Sequence, residues 1–500
     1  TIGYVFPRII ESRSAEGYLH LMIDEKINLN LVKASPFADA FRVVYENEGN
    51  NYVEERNTDS LSGEIYKDRE NQAALIISRE NGLRIKGVIQ GNMIIDHDNE
   101  AVSKDGFVRH RLSSRKVATR TEYHDDVFDF LKRSERFHGN MEERRDTLPN
   151  ERSSQHTGPK RSTVETTLIV GQRYIGEFKK SNHSAVTDVT EYLAVLMALV
   201  NLVFEEFDSR ILRMQLSVVS IFLLKKDSET FLKTIPQKKD VLNGSTLSLF
   251  NDFVEKHANI LGKQDIAIFL GNYTISTGIV FQSPSHFGAG YATVGGACTK
   301  NHGCLVRDNP KTFDGVYTVV HECLHLMGVV HDGSERPDHL KNSPGARNCS
   351  PQSSTVMSPV STHNVKLSLS VCSRDQVLAY LESQRGSCLL NRANQHARRL
   401  KKNNLKAVLL NKVHFCKTLV PEATEVEFVN ELNEKINIAN CYAVCQWIDG
   451  MYIRGRYSKA PNYTPCGNSS EDYMKVCLYG KCSAMRTHML GFPKGIKKTL

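Results

Sequence analysis

Hydrophobic and polar positions divide this chain into stretches of different rhythm. Up to about residue 161 short apolar runs alternate with polar turns. Leu19-His20-Leu21-Met22-Ile23, Phe41-Arg42-Val43-Val44-Tyr45, Ala73-Ala74-Leu75-Ile76-Ile77 and Met93-Ile94-Ile95 all read as strands. Beyond it the pattern becomes α/β. Thr166–Val170 reads as a strand, Tyr192–Phe207 as a long helix, Leu216–Leu224 and Ile266–Leu270 as further strands. Tyr291–Val294 reads as an edge strand, and Val316–Met327 as a helix. The most apolar run, Tyr192 to Phe204, spans 13 residues and contains Asn201. A membrane span needs ~20 residues, so this run is expected to be a buried helix, and no anchor is expected.

Between Lys132 and Ser162 the sequence turns polar and charged, in the manner of a cleavable linker. Arg133-Ser134-Glu135-Arg136, Arg144-Arg145 and Lys160-Arg161 are candidate processing sites, and only the first has the basic residue four positions back that furin-like convertases favour. A second basic connector runs from Arg392 to Lys412. The expected organisation is therefore a β-rich segment with its linker at 1–161, an α/β domain at 162–391, a linker at 392–411 and a small module at 412–500. At 500 residues, with 40% hydrophobic and 24% charged side chains, the chain has ample material for several packed cores. A net charge of +8 is mild for this length and gives no reason to expect nucleic acid as a partner.

The chemistry is concentrated at His321-Glu322-Cys323-Leu324-His325-Leu326-Met327-Gly328-Val329-Val330-His331-Asp332. Helical residues four apart share a face, so His321 and His325 can address one ion. Six further residues in the same helix would carry His331 roughly 9 Å beyond His325, so the chain must turn first. Gly328 is placed to permit a left-handed helix end, after which His331 can return to the site. Three neutral imidazoles with an open fourth position describe a catalytic zinc site, and Glu322 is placed to act as general base on a water there. HExxH alone arises by chance, whereas the added glycine, histidine and aspartate make coincidence a poor explanation. Cys323 lies about 200° around the helix from His321, so it is expected in the core or in a disulfide rather than on the metal.

All 12 cysteines fall between Cys298 and Cys482, six up to Cys388 and six from Cys416 onward. An even number crowded in one part of the chain points to disulfides closed within each region and to an oxidising compartment. A second metal site is the competing reading, weakened by the lack of paired CxxC units with histidines. Asn182, Asn243, Asn272, Asn348, Asn462 and Asn468 each begin a glycosylation sequon. No signal-peptide pattern opens the chain at Thr1, so a secretory leader is expected to have been removed or to lie outside it.

Asp332 after the third histidine, Met357 in Ser354-Thr355-Val356-Met357-Ser358-Pro359, the stretch Gly288 to Cys298, and Cys372 to Leu381 together resemble the adamalysin, or reprolysin, branch of the metzincins. The similarity runs from about Val164 to Leu390 and is nearest to reprolysins of arthropod salivary and venom glands. It departs from the usual pattern at Cys323 and Leu324, and Thr355 stands where many relatives carry a cysteine. None of these is a presumed ligand.

The resemblance implies a zincin catalytic domain on a mixed, mostly parallel sheet, after a prodomain and before a small disulfide-rich module. It implies Zn²⁺ held by His321, His325 and His331, Glu322 as base, a methionine turn at Met357 beneath the ligands, and Asp332 orienting the chain after His331. Calcium is compatible with it, without assigned ligands. Many relatives block their zinc with a prodomain cysteine. Here the first 297 residues contain none, which leaves steric cover, another ligand or chaperoning of the fold as alternatives. The expected function is a secreted, monomeric zinc endopeptidase acting on matrix or plasma proteins. The rivals are a catalytically silent binding protein on the same scaffold and a zinc hydrolase of small molecules.

Overall fold

A computed structural model describes the chain from Gly3 to Arg486 apart from residues 116–158, 179–184, 277–286, 360–366 and 391–411 and short breaks at 14–17, 48–49, 81, 103–106, 237, 462–463, 469, 471–472 and 479. Two of the candidate processing sites, both linker interiors, and the sequons at Asn182 and Asn462 lie outside the described residues. Contacts gather the chain into two units, one of residues 1–34, 62–114 and 395–500, the other of residues 35–61 and 115–394. That division cuts across the expected boundaries. Residues 35–61 belong with the α/β domain, and the cysteine-rich end shares a unit with most of the leading segment.

The α/β unit is built on a seven-stranded sheet. The spatial order of its strands is Gly290–Ala292, Gly303–Arg307, Ile266–Gly271, Lys160–Val170, Leu212–Leu223, Phe37–Asn47 and Asn50–Asn57. The four inner pairings are parallel, and the first and last are antiparallel. Parallel neighbours need crossovers over the sheet faces, which buries the strands on both sides. Leu168, Ile169 and Val170 are accordingly all buried, although the strand begins with alternating exposure.

The helix Ala185–Phe204 has 20 residues, seven more than the apolar run, because Ala185 to Glu191 extend it on the N-terminal side. It is long and apolar enough to cross a membrane by composition, yet 83% of its most apolar window is buried within the fold. Asn201 does not interrupt it. Its side-chain Nδ2 donates to the Leu216 carbonyl and its Oδ1 accepts from Leu216 N, at 2.9 and 2.8 Å, tying helix to sheet.

Expected and observed elements differ mostly at their ends. The strand at 166–170 begins at Lys160, that at 216–224 spans Leu212–Leu223, and the helix expected at 316–327 spans Val316–Leu326. The sequence reading did not include Gly303–Arg307, a five-residue strand between the edge strand and Ile266–Gly271.

The other unit carries a nine-stranded sheet whose described pairings are all antiparallel. Leu19, Leu21, Leu29, Leu31, Leu75, Ile77, Ile85 and Ile89 form its core on one face. Ile10 and Met22 instead pack with Phe415, Cys416, Leu419 and Val420 of the cysteine-rich end. The six cysteines there form Cys416–Cys445, Cys441–Cys477 and Cys466–Cys482, so none is left as a thiolate ligand.

Candidate metal centre

The zinc-type site starts from a helix end. In Val316–Leu326, His321 and His325 are one turn apart and bring their Nε2 atoms within 3.0 Å of each other. The helix then stops in a Schellman arrangement. Val329 N donates to the Leu324 carbonyl at 3.0 Å and Gly328 N to the His325 carbonyl at 2.9 Å. Gly328 has φ +82°, and a Cβ there would stand 2.7 Å from the Tyr380 ring. The turn delivers His331, whose Nε2 lies 3.2 Å from that of His321.

The other ring nitrogens determine what the two helical Nε2 atoms are. His321 Nδ1 lies 2.9 Å from the Val356 carbonyl and His325 Nδ1 lies 2.8 Å from the Val329 carbonyl. A carbonyl only accepts, so each Nδ1 carries the hydrogen and each Nε2 presents a lone pair. The Nε2 atoms of His321 and His325, 3.0 Å apart with no proton between them, repel unless a cation lies beside them. The donor set therefore fits Zn²⁺ held by His321, His325 and His331, with both helical ligands oriented by backbone acceptors.

Glu322 is buried. It lies against the edge strand Gly290–Ala292, where a Cβ on residue 290 would come within 2.1 Å of its Oε1. Only a glycine leaves room for the carboxylate. Sequence reasoning named the edge strand but missed this role of Gly290, because nothing local to residue 290 announces a neighbour 32 positions away.

Beneath the histidines the chain at 353–357 is held by Asp332. This buried carboxylate accepts hydrogen bonds from Ser353 Oγ (2.9 Å), Thr355 Oγ1 (2.6 Å) and Ser370 Oγ (2.6 Å), while Asp332 N donates to the Met357 carbonyl at 2.9 Å. Ser370 in turn caps the helix Val371–Glu382 by accepting from Ser373 N. Met357 is fully buried next to these contacts. Val356, one residue earlier, supplies the carbonyl that orients His321, and the same oxygen accepts from Tyr317 OH. Tyr317 also stacks on His321, with ring centroids 5.9 Å apart. Val356 and Tyr317 carry no sequence signal that could have singled them out.

Comparison with known proteins bears on the domain as a whole. Residues 164–393 match the reprolysin (M12B) family of zinc metalloproteases. The chain carries a reprolysin-type metzincin domain. It is similar to the venom metalloproteinase BumaMPs1 of Olivierus martensii, 24% identical over 71% of this chain and 84% of that one. It is similar also to an antarease-like venom metalloproteinase of Tityus trivittatus, 24% identical over 79% and 94% respectively. A disintegrin and metalloproteinase with thrombospondin motifs 18 of Mus musculus is 27% identical over 46% of this chain but only 17% of its own length. The protein is a zinc metalloendopeptidase, and its substrates are proteins.

Within the reprolysin domain the start of the histidine helix has its own buried anchor. Asp308 accepts from Gly315 N (2.7 Å), Tyr174 OH (2.5 Å) and Tyr192 OH (2.8 Å). Burial pushes the Asp308 carboxyl up to about 8, with the neighbouring Asp314 adding to the shift. Tyr192 also accepts from Phe313 N and stacks on the Phe313 ring at 4.2 Å. This cluster fixes where the helix begins, and hence where its histidines lie.

The domain closes two disulfides, Cys298–Cys388 and Cys349–Cys372, while Cys304 and Cys323 remain buried thiols. Cys323 thus takes the core alternative of the two expected for it. Its region pairs internally but incompletely.

Proposed function

We propose that this chain is a secreted endopeptidase that cleaves extracellular proteins, with Glu322 as its general base. The observation that carries the reading is the convergence of three histidine Nε2 atoms at the helix whose Glu322 is lodged against the sheet's terminal strand. His321, His325 and His331 would hold a zinc ion, which would supply a Lewis acid able to polarise a peptide carbonyl and lower the pKa of a water.

The chain's own residues do the rest. Glu322 takes the proton from the attacking water and passes it to the departing amine nitrogen. Its burial excludes competing solvent. The strand Gly290–Ala292 pairs on one side with Gly303–Arg307 and ends the sheet order. On this reading an extended substrate peptide pairs along the strand's other side, which holds the scissile bond in register with the base. That mode of binding favours polypeptides over small molecules. Asp332 and Met357 keep the floor beneath His321 fixed.

The test is digestion of gelatin and fibrinogen by the processed protein, with and without a zinc chelator, beside Glu322→Ala. Chelator-sensitive cleavage that falls by roughly 10²–10⁴-fold in the variant, at unchanged zinc content, supports the assignment. Full activity in Glu322→Ala would remove Glu322 from the mechanism. Absence of cleavage by folded, zinc-loaded wild type would favour the binding-protein reading.

A further inference from the structure

The leading segment does more than precede the reprolysin domain. Its residues Phe37–Asn47 and Asn50–Asn57 form a hairpin inside that domain's own sheet, beyond the strand Leu212–Leu223. The hairpin's first strand runs parallel to Leu212–Leu223, with Phe37 opposite Val218, Arg42 opposite Ser220, Val43 opposite Ile221, Val44 opposite Phe222 and Tyr45 opposite Leu223. Val218 N donates to the Pro36 carbonyl at 3.0 Å.

The fit is that of an interior strand. Phe37, Phe41, Val43 and Val44 are buried, and the two phenylalanine rings meet edge to face at 4.8 Å. Arg42 reaches the Ile260 carbonyl. Without the hairpin, Leu212–Leu223 would be an open edge presenting unpaired amides and an uncovered apolar face.

Two more attachments lie on the same N-terminal side of the 116–158 segment. The buried Arg115 guanidinium donates to the Phe313 carbonyl, just before the histidine helix. In the other unit, Ile10 and Met22 share a core with Phe415, Leu419 and Val420. All five disulfides lie within 298–482, so none of these attachments is covalent.

We infer that a cut between residues 116 and 158 does not release the N-terminal fragment, because its hairpin remains a structural part of the reprolysin sheet. The cleaved protein is then a non-covalent two-chain enzyme. Its hairpin occupies the opposite end of the sheet order from the strand Gly290–Ala292, so the hairpin itself does not pair with that strand.

The experiment places a site-specific protease sequence between Arg145 and Asp146 of the full chain and cuts it to completion. The expected result is one species on gel filtration in 1 M salt and two bands on denaturing, non-reducing electrophoresis. Hydrogen exchange by mass spectrometry should show amides of residues 42–45 and 220–223 equally protected before and after the cut. Val44→Asp should abolish protection in both stretches. Separate elution of the fragment would overturn the inference. So would co-elution with residues 42–45 exchanging like unstructured chain, since the shared core alone would then hold the fragment. Protection unaffected by Val44→Asp would overturn it too. Should that variant fail to fold, exchange in the cut wild-type protein decides.

Discussion

Gly290 and Glu322 occupy one small volume: a methyl group on residue 290 would lie 2.1 Å from Glu322 Oε1. Nothing in the strand Gly290–Ala292 can yield, since it is hydrogen-bonded to Gly303–Arg307 and buried. Glu322 must therefore move when Gly290→Ala is made, while the histidines, on other faces of the helix, stay. With Glu322 as the proposed base, a displacement of about 1 Å costs on the order of 10²-fold in rate. The expected outcome is a kcat/KM lower by roughly that factor at wild-type zinc content, measured with a peptide substrate and by metal analysis. Loss of zinc in parallel with activity would contradict this account.

Asp332 gathers three hydroxyls and one backbone contact beneath the site. Asp332→Ala leaves Ser353, Thr355 and Ser370 without their acceptor and loosens the segment whose Val356 carbonyl orients His321. Hydrogen bonds to a charged acceptor contribute roughly 1.5–3 kcal/mol each, so the midpoint of denaturant unfolding should fall clearly. Zinc affinity should fall about 10–100-fold, as it does when groups orienting a ligand are removed. Equilibrium dialysis against a zinc buffer measures this, and unchanged affinity would show that the floor is rigid without Asp332.

Asp308 makes stability depend on pH in a definite direction. Its carboxyl is raised from 3.8 to about 8 by burial, so between those values the folded state holds a proton that the unfolded state has lost. Its stabilising contribution is complete below about 4 and declines as pH rises toward 8, by at most ~1.4 kcal/mol per pH unit for one proton. Asp308→Asn should flatten that slope. Denaturant midpoints at pH 5, 6, 7 and 8, for both proteins at saturating zinc, give the comparison. Parallel curves would mean that Asp308 ionises in the fold at its ordinary value.

Legibility in the sequence followed range. The histidine helix and its glycine stop were readable because ligand spacing, helix period and turn chemistry all act within 12 residues. Phe41-Arg42-Val43-Val44-Tyr45 was readable as a strand but not as a strand of the reprolysin sheet. Its partner, Ile221-Phe222-Leu223, lies about 178 positions on, and alternation says nothing about which edge a strand will join. The same limit hid Gly290 behind Glu322, and Val356 behind His321. Gly303–Arg307 went unread because its apolar part, Cys304-Leu305-Val306, is three residues long between a glycine and an arginine, too short to show a period.

The cysteines give a prediction that is independent of activity. Ten of the 12 are paired, leaving Cys304 on the strand next to the edge and Cys323 on the histidine helix. Both are fully buried, and burial raises the Cys304 thiol well above its ordinary value, with Cys323 hydrogen-bonded beside it. A thiol reacts through its thiolate, so neither should be alkylated in the native protein at neutral pH. After unfolding without reductant, two alkyl groups per chain should appear, on Cys304 and Cys323 alone. Peptide mapping locates them. No incorporation would mean that the pair has closed a sixth disulfide between sheet and helix. Rapid native labelling would mean that the core beside Glu322 opens to solvent, which is incompatible with the sealed carboxylate proposed as the base.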